Sequence, residues 1–216
     1  MKIWFNNVWK GNRGFLLFVV LMFMFRSAFA DWNTVPTGSM KPTILEGDRI
    51  FVNKMAYDIR LPFTHFSLYK VSDPVRGDII IFDSKVSEKK LVKRVIGVPG
   101  DIIEMKNNNL HINKERISYQ DVSSDGVIQD RLENLLGIEY LVRVQKSGSA
   151  LSNFLPVRVP PDYYLALGDN RDNSADSRVI GFVPRDEIVG RSRKVVMSLN
   201  YENYYLPRSD RFFHTL

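Results

Sequence analysis

Residues 78–100 read DIIIFDSKVSEKKLVKRVIGVPG, and this stretch decides the fold class. It contains two short runs rich in Ile and Val, Asp78–Phe82 and Leu91–Val98, with polar residues between them and Pro99-Gly100 after the second. β-Branched residues in runs of this length are typical of strands, and Pro and Gly are typical of the turns that end them. The stretch therefore predicts two β-strands.

The same pattern continues through most of the chain after residue 30. Asn107-Asn108-Asn109 predicts a hairpin turn, because Asn tolerates the left-handed region of the backbone. Asp130–Leu136 is the one segment with a weakly helical pattern. The sequence thus predicts a mainly β protein. Its further candidate strands are Arg49–Val52, Ile102–Met105, Leu110–Asn113, Tyr140–Val144, Tyr163–Leu167 and Arg191–Leu199.

Residues 114–156 differ from the chain on either side, because they are polar, uneven and poor in clear strands. We interpret them as a small insertion between two parts of one β domain, residues 31–113 and 157–200. Residues 201–216 form a C-terminal tail rich in Tyr and Phe, for which the sequence suggests no function.

The charge of the chain is concentrated near its N-terminus. The 216 residues carry a formal charge of +6 and no cysteine, which excludes disulfides, thiolate metal sites and cysteine nucleophiles. Residues 1–30 hold four of the 30 bases and no acid, so residues 31–216 carry 26 bases and 24 acids, or +2. A nearly neutral body gives no reason to expect nucleic acid as a partner.

An unbroken apolar run, Phe15–Phe25, follows three of those four bases. Residues 14–30 would measure roughly 26 Å as a helix, which is the short limit for a membrane span. The bases before the run predict a cytoplasmic segment at residues 1–13 and export of everything after residue 30. A signal peptide cleaved after Ala28-Phe29-Ala30 fits the same pattern and also exports the body.

Leu61–Tyr69, LPFTHFSLY, is an apolar loop with three aromatic residues. It has two interpretations that the sequence leaves open. The side chains either pack in the core or contact a membrane surface.

Three segments carry residues that packing alone does not explain. In VPTGSMKPT at Val35–Thr43, prolines and a glycine frame Ser39, as expected of a rigid turn that displays a nucleophile or of a plain polar turn. Lys93 shares its strand face with Leu91 and Val95, and burial of this kind lowers the pKa of a lysine. Only a neutral amine accepts a proton, so Lys93 is either a base or a solvent-facing lysine on an edge strand.

The third segment is GDNRDNSADSR at Gly168–Arg178, directly after a predicted strand. Asp, Asn and Ser side chains hydrogen-bond to backbone, and Asp–Arg pairs add bidentate contacts, so this loop is suited to orienting a base. The alternatives are an exposed polar turn or a calcium-binding loop, although the EF-hand spacing is absent.

Together these segments resemble the bacterial type I signal peptidases, membrane-bound serine–lysine peptidases that remove signal peptides. The resemblance covers residues 26–101 and 162–191. It implies an antiparallel β-sheet catalytic domain with a small β-rich insertion, preceded by one N-terminal transmembrane helix, and it favours a retained anchor over a cleaved signal peptide. Five stretches carry it in order: GSMKPT, GDRIFVNKMAY, RGDIIIF, LVKRVIGVPGD and GDNRDNSADSR.

By motif position, the resemblance implies that Ser39 is the nucleophile and Lys93 the general base, while Lys41 is expected to stay charged in solvent. It implies that the oxyanion is held by the Ser39 N–H and the Thr37 hydroxyl, and that Ser174 hydrogen-bonds the base lysine. Two further groups of residues follow from it. Asp169, Arg171, Asp176 and Arg178 would hold the loop, and Val35, Pro36, Met40, Ile44, Leu91 and Val92 would form shallow pockets for small substrate residues.

The resemblance further implies signal-peptide-bearing preproteins as substrates, contact with membrane lipid, no cofactor, and a monomer in the plasma membrane with its catalytic domain outside. His65, His111 and His214 lack the spacing of metal ligands. Two alternatives stay open. One is a specialised paralogue for a few conjugation or pilus substrates, and the other is a membrane-tethered β domain that binds exported chains without cleaving them.

Overall fold

The computed structural model describes residues 2–64 and 66–216, so His65 lies outside the described residues. Helix α1 spans Lys2–Ala28 and contains the apolar run, and α2 is a single turn at Ser177–Ile180. None of the helices in the described part of the chain combines the length and the hydropathy needed to cross a bilayer. The single-pass anchor therefore stays a prediction.

Strands dominate the rest of the chain, as predicted, and every strand pair within the named sheets is antiparallel. Four short 3-10 turns lie among them, at Gly38–Met40, Lys54–Ala56, Arg185–Glu187 and Ser209–Arg211. In chain order the strands β1 to β17 are Ala30–Thr34, Asp48–Asn53, Asp58–Arg60, Ser67–Lys70, Ile79–Ser84, Lys89–Gly97, Ile102–Lys106, Asn109–Ile112, Glu115–Arg116, Ser118–Ser124, Ile128–Leu135, Ile138–Gln145, Phe154–Arg158, Tyr163–Leu167, Val183–Pro184, Ile188–Asn200 and Leu206–Pro207.

The main sheet has the order β1-β2-β16-β5-β6-β14-β15, with β17 added to β16. Its central strand β5 is buried on both faces. Ile79 and Ile81 pack in one core cluster, while Ile80 and Phe82 pack in another. A strand enclosed on both sides has no polar face, which explains why residues 79–82 form an uninterrupted apolar run.

Three smaller sheets are added to the main one: β13-β7-β8-β9, β10-β11-β12 and β3-β4. The predicted turn between β7 and β8 is confirmed, with Asn107 and Asn108 at φ 48° and 59°. A third core cluster joins β7, β8, β11 and β12 to β6 and β14 of the main sheet.

The expectation of a weak helix at Asp130–Leu136, within a segment poor in strands, is wrong. Its residues Asp130–Leu135 lie in β11, the middle strand of the sheet β10-β11-β12. Its inward-facing positions are Arg131, Glu133 and Leu135. Because two of these three buried residues are charged, the alternation that marks a half-buried strand is hidden in the sequence.

Candidate active site

Ser39 lies in the 3-10 turn that follows the edge strand β1. Met40, the next residue, is buried in the core and fixes the turn against the sheet. Thr37 precedes the turn with an extended backbone, and its side chain makes no capping hydrogen bond among the described residues. Thr37 and Ser39 both line the same cleft.

Lys93 reaches Ser39 from β6, where it is opposite Ile80 of β5. Its side chain is buried, with only 2% of the residue exposed. The Nζ atom lies 2.7 Å from the Ser39 Oγ and 3.0 Å from the Val92 carbonyl oxygen. Burial lowers the pKa of Lys93 to about 8, so an appreciable part of this amine is neutral near neutral pH.

Two carboxylates near Lys93 act in the other direction, because the charges of Asp176 and Asp169 raise its pKa. Each of them is engaged by an arginine. Arg178 donates from Nε and Nη2 to Asp176 at 2.8 and 2.6 Å, and Arg94 donates from Nε and Nη2 to Asp169 at 2.9 and 2.8 Å. The arginines thus offset charges that would otherwise keep Lys93 protonated.

The loop after β14 contacts the turn at Gly38–Met40 directly. The Asn170 backbone N–H donates to the Ser39 carbonyl at 3.1 Å, and its Nδ2 donates to the Gly38 carbonyl at 3.0 Å. Because C=O and N–H point in opposite directions in a trans peptide, a fixed Gly38 carbonyl turns the Ser39 N–H away from the loop. The sequence did not single out Asn170, although it lies inside the quoted loop motif.

Gly168 allows this close approach. A Cβ added at Gly168 would lie 2.4 Å from the Ser39 carbonyl oxygen and 2.2 Å from the Ser174 Oγ. Ser174 itself is buried, and its Oγ has no hydrogen-bond partner among the described residues. The hydrogen bond to Lys93 that the resemblance implies is therefore not formed in this structure, because the lysine Nζ bonds to Ser39 and Val92 instead.

The other side of the loop is fixed by Arg171. This residue is fully buried, and its Nη1 and Nη2 donate to the two oxygens of Glu133 at 2.7 and 2.8 Å. Arg178 adds a bond from Nη1 to the Leu151 carbonyl at 2.7 Å. Both contacts tie the loop to residues 114–156. Glu133 and Arg94 were not predicted as site residues. The signal for Arg94 was a charge within an apolar predicted strand, whereas Glu133 lay in a segment predicted to be weakly helical.

A cleft of about 500 Å³ opens beside Ser39 and Lys93, between β1 with the following turn and the start of β6. Ile44 does not line it but is fully buried in the core, and Lys41 pairs with Glu46 at 3.2 Å. Of the residues predicted to form pockets, those that line the cleft are Val35, Pro36, Met40, Leu91 and Val92.

Among residues 2–64 and 66–216, no group of three or more His, Cys, Asp or Glu side chains is placed to hold a metal ion.

Comparisons with known proteins agree with one another. The model of the family described as signal peptidase, peptidase S26, matches residues 10–197. Signal peptidase I of Pseudomonas aeruginosa is 36% identical over 200 residues, which cover 85% of this chain and 69% of that protein. Signal peptidase I P of Bacillus subtilis subsp. natto is 32% identical, over 90% of this chain and 92% of its own.

A solved structure of a signal peptidase I from Enterococcus faecalis V583 matches 56% of this chain and 98% of its own, with 29% identity and a TM-score of 0.38. The family match spans the cleft, the turn at Gly38–Met40 and the loop after β14. The chain belongs to the signal peptidase family, peptidase S26.

Proposed function

We propose that this chain is a membrane-anchored serine endopeptidase that removes signal peptides from exported preproteins, with Ser39 as nucleophile and Lys93 as general base. One observation carries the assignment of the dyad. The Ser39 hydroxyl lies 2.7 Å from a buried amine whose pKa is about 8. The substrate class follows from the relatives, which are named signal peptidase I.

The chemistry follows from the state of Lys93. The neutral amine takes the Ser39 proton as the hydroxyl oxygen attacks the scissile carbonyl, which gives a tetrahedral oxyanion. Lys93 then gives that proton to the leaving amine, and an acyl ester remains on Ser39. Water, deprotonated by the same lysine, hydrolyses the ester and restores the free hydroxyl.

The oxyanion needs donors aimed at the cleft before the reaction starts, since preorganised donors stabilise developing charge without a reorganisation cost. The Ser39 N–H is one donor, and Asn170 orients it through the Gly38 carbonyl. The Thr37 hydroxyl is the second, and it lines the cleft without a capping role among the described residues.

The cleft suits an extended peptide. Strand β1 pairs with β2 alone in the described part of the chain, and residues 89–93 of β6 pair with β5 alone. A peptide that enters between these two strands can hydrogen-bond to free backbone edges. The apolar lining leaves room for small side chains and excludes large or charged ones, as cleavage after small residues requires.

The membrane anchor is residues 14–30 in this proposal. The apolar side chains Phe15, Leu17, Phe18 and Leu21 on α1 are more than half exposed, which is costly in water and favourable in lipid. Because α1 ends at Ala28 and β1 begins at Ala30, the anchor leads within a few residues to Ser39. The active site then lies close to the outer surface of the bilayer.

The domain organisation follows from the same assignment. Residues 31–113 and 157–200 supply the dyad and the loop, residues 114–156 brace the loop through Glu133, and residues 201–216 form the tail. N-terminal sequencing of the mature protein tests the retained anchor. A start at Asp31 would mean that residues 1–30 are removed.

The test of the activity is cleavage of a purified preprotein by the full chain reconstituted in phospholipid vesicles. Ser39→Ala is expected to abolish cleavage, whereas Asn173→Ala, an exposed change in the same loop, leaves it intact. Cleavage that survives Ser39→Ala would rule out this nucleophile. A chain that binds the preprotein without cutting it would favour a binding domain instead.

A further inference from the structure

The cleft beside Ser39 has one basic end. Among the residues that the structure describes, its lining includes Lys89, Lys90 and Lys93 but no acid. Lys93 is buried and serves the proposed mechanism, whereas Lys89 and Lys90 are exposed at the start of β6. A cleft lined by cations attracts negatively charged groups of a ligand. This end of the cleft can therefore discriminate between substrates by charge.

The two exposed lysines differ in their partners. Lys90 pairs with Asp83 of β5 at 3.8 Å. Lys89 forms no ion pair or hydrogen bond in the described part of the chain. Because successive side chains of a strand alternate, Lys89 lies on the same face of β6 as Leu91 and Lys93. Lys89 is thus a cation that is free to meet a ligand on the face of β6 that carries the base.

The direction of the cleft follows from the order of the main sheet. Four antiparallel pairings lead from β1 through β2, β16 and β5 to β6, so β1 and β6 run in the same direction. Both strands approach the pair of Ser39 and Lys93 as their residue numbers rise, because Ser39 follows β1 and Lys93 follows Lys89 in β6. Trp32 and Lys89 therefore lie at the same end of the cleft, and both line it.

That end of the cleft is the one joined to α1, since a single residue separates the end of α1 from the start of β1. The Lys54 ammonium donates to the Arg26 and Ser27 carbonyls, both at 3.1 Å, and the Phe63 N–H donates to the Ser27 Oγ at 2.7 Å. These bonds fix the helix end against the β domain. The loop Leu61–Tyr69 makes this contact with its apolar side chains exposed, so its interpretation as core packing is wrong for the described residues.

In the proposed function, a substrate enters the cleft from this end. The apolar part of a signal peptide stays in the bilayer that holds α1, and the scissile bond follows it in the sequence. The residues before the scissile bond then lie beside β1 and the start of β6. Lys89 precedes Lys93 by four residues, or about 13 Å of extended strand. With the first residue before the scissile bond beside Lys93, an extended substrate has its fifth residue before that bond beside Lys89.

We propose that Lys89 is a specificity-determining residue that favours an acidic side chain, Asp or Glu, at the fifth residue before the scissile bond. The inference rests on the proposed function, which supplies the direction of the substrate. A carboxylate at this place meets an unpaired ammonium, whereas a lysine or arginine meets a like charge. Because Lys89 is exposed, the expected preference is a few-fold and is weakened by salt.

Three peptides that span a signal-peptide cleavage site test the proposal. They carry Glu, Gln or Lys as the fifth residue before the scissile bond and do not differ otherwise. The full chain is assayed in micelles of an uncharged detergent, so that no lipid charge contributes. In the wild type, kcat/KM for the Glu peptide is expected to exceed that for the Lys peptide about fivefold, and this ratio should approach one in about 0.5 M NaCl. Lys89→Gln should bring the ratio close to one, and Lys89→Glu should invert it.

Lys85→Glu is the matched control. It makes the same change of charge in the β5–β6 turn, at a residue that does not line the cleft, and it should keep the wild-type ratio. A ratio that Lys89→Glu leaves unchanged would overturn the proposal. So would an equal shift in Lys85→Glu, since the overall charge of the domain would then be the cause. A preference that appears only in vesicles containing anionic lipid would also overturn it, because Lys89 would then act on the lipid.

Binding of the same peptides to Ser39→Ala separates this proposal from the proposed function. The variant keeps the lining of the cleft, and fluorescence anisotropy of labelled peptides gives the ratio of Kd values without cleavage. A wild type that cleaves none of the peptides, together with tighter binding of the Glu peptide than of the Lys peptide to Ser39→Ala, would refute the proposed function and support the role of Lys89. Equal Kd values for the two peptides would contradict that role whether or not the wild type cleaves them.

Discussion

Lys93 and Arg171 are buried cations of one site, yet their surroundings are opposite. Arg171 is fully enclosed, and Glu133 meets it with both carboxylate oxygens. Lys93 is 2% exposed, and its hydrogen-bond partners among the described residues are the Ser39 hydroxyl and the Val92 carbonyl. One charge is compensated by a carboxylate and the other is not.

The difference appears in the two pKa values. Burial is the largest single influence on the pKa of Arg171 and acts to lower it. The charge and hydrogen bonds of Glu133, together with Tyr140 and Tyr119, outweigh burial and hold this pKa well above its ordinary value. Burial lowers the pKa of Lys93 to about 8, and the acids that raise it are engaged by Arg94 and Arg178. A paired cation anchors the loop, whereas an unpaired one can release its proton.

Lys93→Met removes the uncompensated charge and is expected to have the largest effect. Cleavage of a preprotein should fall by about 10⁴-fold or more, because a dyad acts as a unit and loses most of its rate when one member is removed. The measurement is kcat/KM at pH 8 with a fixed preprotein. Lys85→Met, in the turn between β5 and β6 with a side chain that is 74% exposed, is the control that should retain activity within a few-fold.

The same variant should be more stable than the wild type at pH 7. Lys93 has a pKa of about 8 when folded and 10.5 in its ordinary state, so folding penalises its protonated form. Each unit is worth about 1.4 kcal/mol, which gives a gain of up to about 3 kcal/mol on removal of the amine. Between pH 8 and 10.5 the unfolded chain holds the proton that the folded chain lacks, so wild-type stability rises there and the gain shrinks. Equilibrium unfolding in urea at pH 7 and pH 10 measures both values, and a gain that persists unchanged at pH 10 would refute this explanation.

Glu133→Gln makes Arg171 resemble Lys93 by removing its compensating carboxylate. The free energy of unfolding is expected to fall by about 3–5 kcal/mol, because the guanidinium is left buried without a counter-charge. Asp130→Asn, which breaks the less buried pair with Arg143, should cost about 1 kcal/mol or less. Urea unfolding measures the free energy of unfolding of both variants. Equal losses would mean that burial does not determine how much these ion pairs contribute to stability.

The same contrast explains what could be predicted from the sequence. Strands β5 and β6 were predicted because most of their inward positions are apolar, although β6 also buries Lys93 and Arg94, so the pattern is visible along the chain. Strand β11 was missed because Arg131 and Glu133 face inward. Strands β3 and β4 were missed because Asp58 and Arg60 are buried while the apolar residues of the hairpin are exposed. Local patterns fail where the interior is charged.

The candidate site divides in a similar way. Ser39 and Lys93, which the structure brings together, were singled out in the sequence because a serine in a Pro–Gly turn and a lysine in an apolar strand are unusual within their own segments. The ion pairs that support them could not be predicted in this way. Arg94 pairs with Asp169, which lies 75 residues away in the sequence, and Arg171 pairs with Glu133, which lies 38 residues away. No local pattern specifies such a pairing. It exists only after the sheets have packed.

Arg178→Gln removes the arginine that pairs with Asp176, so the Asp176 carboxylate can compensate the charge of Lys93 as Glu133 compensates that of Arg171. The pKa of Lys93 is then expected to rise by about one unit, because a nearby unpaired carboxylate favours the charged amine. In the proposed mechanism only neutral Lys93 accepts the Ser39 proton, so activity in the wild type should rise through pH 8 and level off above it. In Arg178→Gln this rising limb of the pH–activity profile should move to higher pH. Profiles of kcat/KM between pH 6 and 10 measure it, and Asp176→Asn/Arg178→Gln, which removes both charges, should return the limb close to its wild-type position.

Asn170→Ala tests how much the loop that Arg171 and Glu133 fix contributes to the reactivity of Ser39. Its expected effect is the smallest of these predictions. Asn170 lies between Asp169 and Arg171, which are held by their ion pairs with Arg94 and Glu133. Its Nδ2 contact with the Gly38 carbonyl connects this fixed part of the loop to the turn that carries Ser39. A neutral hydrogen bond is worth about 1 kcal/mol, so kcat should fall about fivefold as the Ser39 N–H loses its orientation. KM and the pH limb should stay unchanged, because neither the cleft lining nor the charges near Lys93 are altered. Asn173→Ala, exposed in the same loop, is the control. A change confined to KM, or an equal fall in Asn173→Ala, would mean that Asn170 supports the loop in general and does not position the oxyanion donor.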